Sequence, residues 1–468
     1  MTTPAHEIRL GQRHTDDAEP IRGPGQWQLL FNIPRIQRNP LAYLAFCARR
    51  YGDLVAFKAG DQPAYFVNSP SAVKHILQDN HRNYTKDTIQ YRQLASITGR
   101  GLLTSDGDEW LSHRRLMQPA FHPRRMEAMS DGITRATADL IDEWRTRLGN
   151  ATQVVLDIDA EMLRLALRIA GLTLFSIDLG REAPRLTQAV LVALDHIVHR
   201  ASNFLALPDH IPTPRNRRFH RALATLDETV DELIAARRAG THQPNDLLAA
   251  LLNARDAETS QELSKQAIRD EVLTLLIAGH ETSASALTWT WHLLSRHPHI
   301  QKALKQEIIR VIGARPVHFT DLPHLTFCRH VIDEALRLYP PAWLITRRTV
   351  DSDRLDGHAI PAGAIVIISP YILHRHPTFW HDADRFAPQR FEEEWPRHAY
   401  IPFGNGPRVC IGQHFALIET LFIVASIAQH FCFEPAEHRT VSATPLVTLR
   451  PRVGRRFGLR VQMKLCPA

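Results

Sequence analysis

Cys410 stands in a loop-forming run, IPFGNGPRVCIG at residues 401–412, directly before a long apolar pattern typical of a helix. Gly406 and Gly412 allow positive φ angles or a close approach of the backbone to a flat group. A thiol just ahead of a helix meets unpaired N–H groups and the helix dipole, which favour the thiolate, and Arg408 adds a positive charge. Such a thiolate can be a nucleophile, a metal ligand or an inert buried thiol.

Two of these chemistries lack further support in the sequence. No signature of a cysteine protease surrounds Cys410. Cys410 and His414 are four residues apart, but no CxxC or HxxxH pattern supplies the two further ligands that a zinc site needs. We therefore expect neither zinc nor a protease nucleophile here.

A second unusual run, Ala278-Gly-His-Glu-Thr282, interrupts an apolar helical pattern. Glycine, an acid and a hydroxyl inside such a helix each reduce its stability. The Thr282 hydroxyl can bond the carbonyl of Ala278 and open a groove beside Gly279, where a small ligand could bind and receive protons. The alternative is a helix–helix contact through small residues, with Glu281 reaching a surface partner.

Two further spacings place charged and polar side chains together on one helix face. Glu334 and Arg337 are three apart on one helix face with apolar neighbours, which predicts a buried ion pair, and Arg390 lies in a later Pro-containing loop. Trp110 and Arg114 are four apart, so an indole N–H and a guanidinium can clamp a carboxylate. The alternative for this last helix is a basic face in contact with solvent.

The elements that position these residues are mostly helical. The longest helical pattern runs from about Lys265 to His297, and a second runs from about Leu325 to Leu338 before a Pro pair. A third begins just after Cys410. Strand patterns occur at 54–67 and 364–369. We predict an α+β protein, mostly α with a minor β region, in which residues 1–20 form a tail and 21–468 a single domain.

The composition narrows the class of protein. The 468 residues carry a net charge of +7 without a zinc-finger or RNA-binding signature, so nucleic-acid binding is a weak alternative. The N-terminus lacks the apolar core of a signal peptide, and no uninterrupted apolar run is long enough for a membrane anchor. We expect a soluble cytoplasmic protein. We also expect free thiols at all of the cysteines, which are scattered and odd in number: Cys47, Cys328, Cys410, Cys432 and Cys466.

The motifs together resemble those of the cytochrome P450 family. The run from Phe403 to Gly412 resembles the family's F-x-x-G-x-R-x-C-x-G pattern, which is highly specific. Further matches follow the family's order: W-x-x-x-R, A-G-x-[DE]-T, E-x-x-R and P-x-R-F. The resemblance extends from about Ile21 over nearly the whole chain. It implies the cytochrome P450 fold, with a long central helix and a haem-binding Cys loop.

The resemblance also implies roles around a haem b (iron protoporphyrin IX). Cys410 would be the thiolate ligand of the iron, with Phe403 shielding its sulfur and Gly412 and Ala278 close to the cofactor. Glu334, Arg337 and Arg390 would fix the Cys410 loop. The expected propionate ligands are Trp110, His113, Arg114, Arg347 and Arg408, with Arg348 as the alternative to Arg347.

On the other face of the haem, Thr282 and Glu281 would be the catalytic pair that relays protons for oxygen activation. The substrate pocket would be lined by the segment 90–103, one face of the central helix and residues 342–346. We name five candidates for this lining: Leu102, Leu103, Thr274, Ala278 and Ile345. Their apolar character favours a hydrophobic substrate.

The implied activity is that of a monooxygenase of secondary metabolism, which inserts one oxygen atom of O₂ by hydroxylation or epoxidation. The strings WLSHRRLMQPAFHP, LPDHIPTPRNRR and RLYPPAWLITRR favour a bacterial hydroxylase of terpenoids or fatty acids. Electrons would come from NAD(P)H through a ferredoxin and its reductase, docked on Arg114, Arg115, Arg124 and Arg125 of a monomer. The alternatives are a peroxygenase, a non-oxidative haem-thiolate enzyme, or a haem-based sensor or carrier.

Overall fold

The structure is a computed structural model that describes residues 20–59, 62–203, 206–240, 244, 246–254, 262–395, 397–436, 439–454 and 456–466. The α-helices are α1 Gln26–Arg38, α2 Pro40–Tyr51, α3 Pro70–Lys74, α4 Ile89–Thr98, α5 Gly107–Met117, α6 Pro123–Leu148, α7 Ile158–Leu174, α8 Ala183–Ser202, α9 Pro214–Ala239, α10 Leu247–Leu252, α11 Lys265–Arg296, α12 Pro298–Val311, α13 Thr326–Leu338, α14 Pro370–Leu373 and α15 Gln413–His430. The proposed tail falls almost entirely outside the described residues.

Small sheets surround this helical body. The strands are β1 Leu54–Ala59, β2 Gln62–Val67, β3 Tyr84–Thr85, β4 Val154–Asp157, β5 Ile345–Thr349, β6 Asp353–Leu355, β7 His358–Ile360, β8 Ile365–Ile368, β9 Phe431–Pro435, β10 Val441–Pro445, β11 Leu449–Val453, β12 Arg456–Phe457 and β13 Arg460–Leu465. The largest sheet has the order β1-β2-β8-β5-β3, and the pairing of β2 with β8 is parallel. The mostly helical class and the sheet built from both ends of the chain are confirmed.

Helix α11 crosses the core. Its 32 residues span about 48 Å. The Ser264 side chain caps its first turn by accepting from the Ala267 N–H at 3.1 Å, and Pro298 follows its last turn. The helix packs against α7, α9, α13 and α15. Trp289 and Trp291 are fully buried in it, which accounts for a pattern that is apolar on almost every side.

Helix α13 carries the predicted ion pair in the protein interior. The side chains of Glu334 and Arg337 are both 0% exposed and are joined by a 2.6 Å contact. The Arg390 Nε donates to the second Glu334 oxygen at 2.9 Å, and Arg337 also donates to the carbonyls of His374 and Ala383. Because buried charges need such complete pairing, this network fixes the loop 374–390 against α13.

The prediction that all of the cysteines are free thiols is wrong. Cys432, in β9, and Cys466, directly after β13, form a disulfide. The antiparallel pairing of β9 with β13 brings the two residues within 5.0 Å between Cα atoms, although they are 34 apart in sequence. Their spacing along the chain could not reveal this, because the contact depends on strand register. Cys47, Cys328 and Cys410 are free.

In the described part of the chain, no helix combines the length and the apolar character needed to cross a membrane.

Candidate active site

The Cys410 loop takes its shape from its glycines. Gly404 and Gly406 adopt φ of +76° and +70°. A Cβ on Gly406 would lie 1.9 Å from the Leu77 carbonyl oxygen, so this residue lets the loop pass directly over another segment of backbone. The Cys410 N–H donates to the Phe403 carbonyl at 3.0 Å, which closes the loop. Gly406 therefore has both properties expected of it, but its close neighbour is backbone.

The Cys410 side chain retains accessible surface. Protein atoms nevertheless surround it closely enough that burial raises the pKa of its thiol, a change that the Gly412 N–H and the Arg114 guanidinium oppose. Both observations fit a sulfur that borders a cavity inside the protein. The same donors would stabilise a thiolate bound to a metal.

Between Asp270 and Ser295, helix α11 is incompletely buried at one place only. In that fully described stretch every residue is buried except Ala278, Gly279 and Thr282, which share one face. The Thr282 hydroxyl donates to the Ala278 carbonyl at 2.5 Å, as its spacing predicts. This face therefore offers a groove with a hydroxyl beside it.

The groove and the cysteine loop belong to neighbouring elements. Ser283, next to Thr282, donates to Glu419 of α15 at 2.6 Å inside the core. Helix α15 begins directly after the Cys410 loop, and burial raises the pKa of Glu419 to about 8. We infer that Cys410 and the α11 groove border the same internal space.

A cluster of positive charges lies at one side of this space. Lys86 is 7% exposed and donates to the Leu103 carbonyl at 2.8 Å. Burial lowers the pKa of Lys86 well below its usual value, and the charges of Arg347, Arg408 and Arg114 lower it further.

Asp106 is the carboxylate that faces this cluster. It forms an ion pair with Arg408, whose guanidinium lies 4.4 Å from the centre of the Trp110 ring. The Arg408 Nε is buried and has no hydrogen-bond partner among the described residues. Four cations around one carboxylate require further negative charge, so the cluster can bind an anionic group.

Arg347 and Arg348 lie on opposite faces of strand β5. Arg347 is 6% exposed and donates to the Tyr91 hydroxyl at 3.0 Å, within the cation cluster. Arg348 points to the other face and pairs with Asp87 at 2.9 Å. Because side chains alternate along a strand, only one of the two arginines can face the interior, and the structure places Arg347 there.

His113 has a partner other than the one expected. Its Nδ1 lies 2.6 Å from the Glu271 Oε1 of α11 in a nearly buried ion pair. The Glu271 carboxylate raises the pKa of His113 against the opposing effect of burial. Glu271 also accepts from the Leu102 N–H at 3.1 Å. His113 thus connects α5 with α11 and with the loop 99–104.

The residues expected to line the substrate pocket differ in their burial. Leu102 and Ile345 are almost fully buried, whereas Leu103 and Ala278 are partly open. Thr274 is 3% exposed, and a Cβ on Gly101 would lie 2.1 Å from its hydroxyl oxygen. The loop 99–104 therefore packs directly against Thr274.

The acid of the predicted catalytic pair is closed off from the groove. Glu281 is 3% exposed. Its Oε2 accepts from the Thr448 hydroxyl at 2.5 Å, and its Oε1 accepts from Arg450 at 2.9 Å. Sequence spacing predicts that Glu281 and Thr282 are adjacent, but it could not predict these partners, which are more than 160 residues away.

The described residues fit a haem on chemical grounds. A free cysteine borders an internal space, a hydroxyl-bearing helix groove adjoins it, and the cation cluster matches the two propionates of such a cofactor. The cluster also contains Lys86, Tyr91 and Asp106. None of the sequence motifs identified these three residues as part of a site. Only Asp106 gave a signal, since it precedes the acidic first turn of α5 and caps it.

Comparison with known proteins agrees with this fit. The cytochrome P450 family model matches residues 21–453. Cyclooctatin synthase of Streptomyces melanosporofaciens is 36% identical over 432 residues, covering 91% of this chain and 92% of that protein. Pentalenene oxygenase of Streptomyces avermitilis is 36% identical over 411 residues, covering 86% and 89%. Cyclooctat-9-en-7-ol 5-monooxygenase of S. melanosporofaciens is 36% identical over 423 residues, covering 89% and 90%.

The family match and the relatives extend over most of the chain, and the residues around Cys410 suit the family's cofactor. The chain therefore belongs to the cytochrome P450 family and is a monooxygenase that binds haem b.

Proposed function

We propose that this monooxygenase oxidises a hydrophobic terpenoid, by hydroxylation or epoxidation, with O₂ as the oxygen source. The observation that carries the proposal is the similarity to relatives named for pentalenene and cyclooctat-9-en-7-ol, together with an apolar wall at Leu102, Leu103 and Ile345. A fatty acid is the second substrate class to test.

In this proposal Cys410 supplies the thiolate ligand of the haem, which provides oxygen activation when bound. Lys86, Arg114, Arg347 and Arg408 bind the propionates. The Phe403 carbonyl accepts from the Cys410 N–H, and its partly buried ring would limit access of water to the ligand.

Thr282 would hold a proton-delivering water at the groove, since its hydroxyl is the polar group on the open face of α11. Glu281 would supply the proton. The apolar wall would exclude other water from the substrate and orient it.

Electrons would come from NAD(P)H through a ferredoxin and its reductase. Arg115 is exposed beside the Cys410 loop and suits an acidic carrier, whereas Arg114 turns inward and donates to the Val409 carbonyl at 2.8 Å. The Arg124 side chain lies outside the described residues. A monomer in the cytoplasm remains our proposal, although the Cys432–Cys466 disulfide removes the support that free thiols would have given to a reducing compartment.

The test combines spectroscopy and turnover. We expect the reduced protein with CO to give the red-shifted spectrum of thiolate-ligated haem, and Cys410→Ala to lose it. Cyclic terpenes should displace the water from the haem iron more strongly than fatty acids of similar size, and a surrogate ferredoxin system with NADPH should give an oxygenated product.

Two outcomes would contradict the proposal. Tighter binding of fatty acids than of any terpene would overturn the substrate class. Product formation with hydrogen peroxide that is undiminished in Thr282→Ala, and absent with NADPH and surrogate carriers, would indicate a peroxygenase.

A further inference from the structure

Glu281 belongs to a buried cluster that joins three elements. Arg450, in β11, donates to the Glu281 Oε1 at 2.9 Å and to the Asp159 Oδ2 at 2.5 Å. Asp159 lies in the first turn of α7, and Glu281 lies in α11. All three side chains are at most 6% exposed. One cation therefore serves two carboxylates in the protein interior.

The cluster is short of positive charge. With both carboxylates ionised it would carry one net negative charge, which is costly at this depth. Burial raises the pKa of Asp159, although Arg450 opposes this, while Asp157 and Glu281 add to it. His280 also faces Arg450, and burial lowers the pKa of His280 to about 3, so it brings no charge.

The hydrogen bonds of Glu281 are not required to attach β11 to α11. Ser285 and Trp289 of α11 each donate to the Leu449 carbonyl at 2.8 Å. These two bonds fix the start of β11 independently. The Glu281 contacts therefore call for an explanation beyond anchoring the strand.

The observed position of Glu281 does not suit the delivery of protons to the α11 groove. Both of its oxygens are engaged on the side of α11 that faces β11, whereas Thr282 lies on the open face. We propose that Arg450 is a positioning residue, which together with Thr448 holds the Glu281 carboxylate away from the cavity. Asp159 weakens this hold because it shares the positive charge of Arg450.

This inference rests on the proposed role of Glu281. For each delivery, Glu281 leaves Arg450, takes a proton from water, passes that proton towards Thr282 and returns to Arg450 as the carboxylate. Asp159 keeps the guanidinium paired while Glu281 is away. Because a buried arginine without a partner is costly, this second acid makes the release of Glu281 feasible.

Two variants test the hold in opposite directions. Asp159→Asn leaves the full charge of Arg450 to Glu281, so product formation should slow about three- to tenfold, the effect of one ordinary hydrogen bond, with a larger solvent isotope effect. Thr448→Val removes the second bond to Glu281 and should reduce the solvent isotope effect. Thr448→Ser keeps the hydroxyl and should restore wild-type behaviour.

Controls separate these effects from damage to the fold. Thr290→Val removes a buried hydroxyl that bonds only the Ala286 carbonyl of its own helix, and it should leave the isotope effect unchanged. Substrate affinity, read from the haem spectrum, should stay constant in all variants.

A second readout does not depend on turnover. Infrared difference spectra should contain a carboxylate band that Asp159→Asn removes, because Asp159 must be ionised to share the charge of Arg450. The inference is overturned if both variants change the isotope effect in the same direction, or if this band is unaffected. The comparison uses any apolar compound that the wild type oxidises, so failure of the terpenoid assignment is seen separately, in the wild-type binding titration.

Discussion

Lys86 is the residue around the cavity whose charge is hardest to explain without a ligand. It is buried, it donates to the Leu103 carbonyl, and three arginines lower its pKa by their charge after burial has already done so. A buried lysine in such surroundings is retained at a cost to the free energy of unfolding. A bound pair of propionates would make the electrostatic potential around Lys86 favourable for its positive charge. This is why we assign Lys86 to the propionates.

Replacing Lys86 by Met should therefore weaken haem binding. We expect about a tenfold faster transfer of haem to excess apomyoglobin, because one charge-assisted hydrogen bond is lost while the apolar volume is kept. Lys74→Met is the matched control, since Lys74 is 40% exposed and pairs only with Asp79 at the surface. Equal transfer rates for both variants would remove Lys86 from the cofactor site.

At the scale of elements, α5 and α11 are coupled through one ion pair. His113 of α5 meets Glu271 of α11, and the other oxygen of Glu271 holds the Leu102 N–H of the loop 99–104. The Glu271 carboxylate favours the protonated imidazole of His113, although burial opposes it. Helix α5, which carries proposed propionate ligands, is in this way tied to the loop that we propose as part of the substrate wall.

This pair predicts a pH dependence of stability. The pKa of His113 is raised in the folded protein by Glu271, with Glu109 and Asp270 adding to the effect. Its contribution to the free energy of unfolding is thus complete below about pH 6.5, the usual value for unfolded histidine, and is lost as pH rises through the higher folded pKa. Urea unfolding from pH 5 to about 9 should show this loss.

The variant His113→Gln should remove this dependence of the free energy of unfolding on pH. We expect a destabilisation of about 1–3 kcal/mol at the acidic end of the range. His324→Gln, at an exposed position, serves as the control and should retain the wild-type slope. An unchanged slope in His113→Gln would mean that the pair is not ionised as described.

Helix boundaries show how much local pattern can predict. The central helix was expected from Lys265 to His297 and spans Lys265–Arg296, and the helix before the Pro pair was expected from Leu325 and begins at Thr326. Both agree because apolar periodicity, a Ser cap and proline stops act within one or two turns. The partners of Glu281 and His113 depend on packing between elements, which no local pattern contains.

At the scale of the whole molecule, the disulfide closes the C-terminal strand onto the sheet that follows α15. Cys466 lies beside Cys432 because β13 pairs with β9, and β9 continues directly from α15. The bond therefore stabilises the region that supports the helix after the Cys410 loop. It also removes one reason for expecting a reducing compartment.

We predict three reactive thiols in the denatured, non-reduced protein and five after reduction. Reduction should lower the free energy of unfolding by about 2–4 kcal/mol, as for a loop of this length. The double variant Cys432→Ser/Cys466→Ser should show the lower stability with or without reductant. Five thiols before reduction would show that the bond does not form in solution.

The sequence by itself determined the residues that lie close together along the chain. The Cys410 loop, the Thr282 bond to Ala278 and the Glu334–Arg337 pair follow from glycine conformations and helical spacing, which are local properties. Only the tertiary structure decided that Lys86 joins the arginines, that Arg347 and not Arg348 faces inward, and that Arg450 holds Glu281. These interactions join residues up to about 320 positions apart, and burial there fixes partners through strand register and helix packing, neither of which is encoded at either site alone.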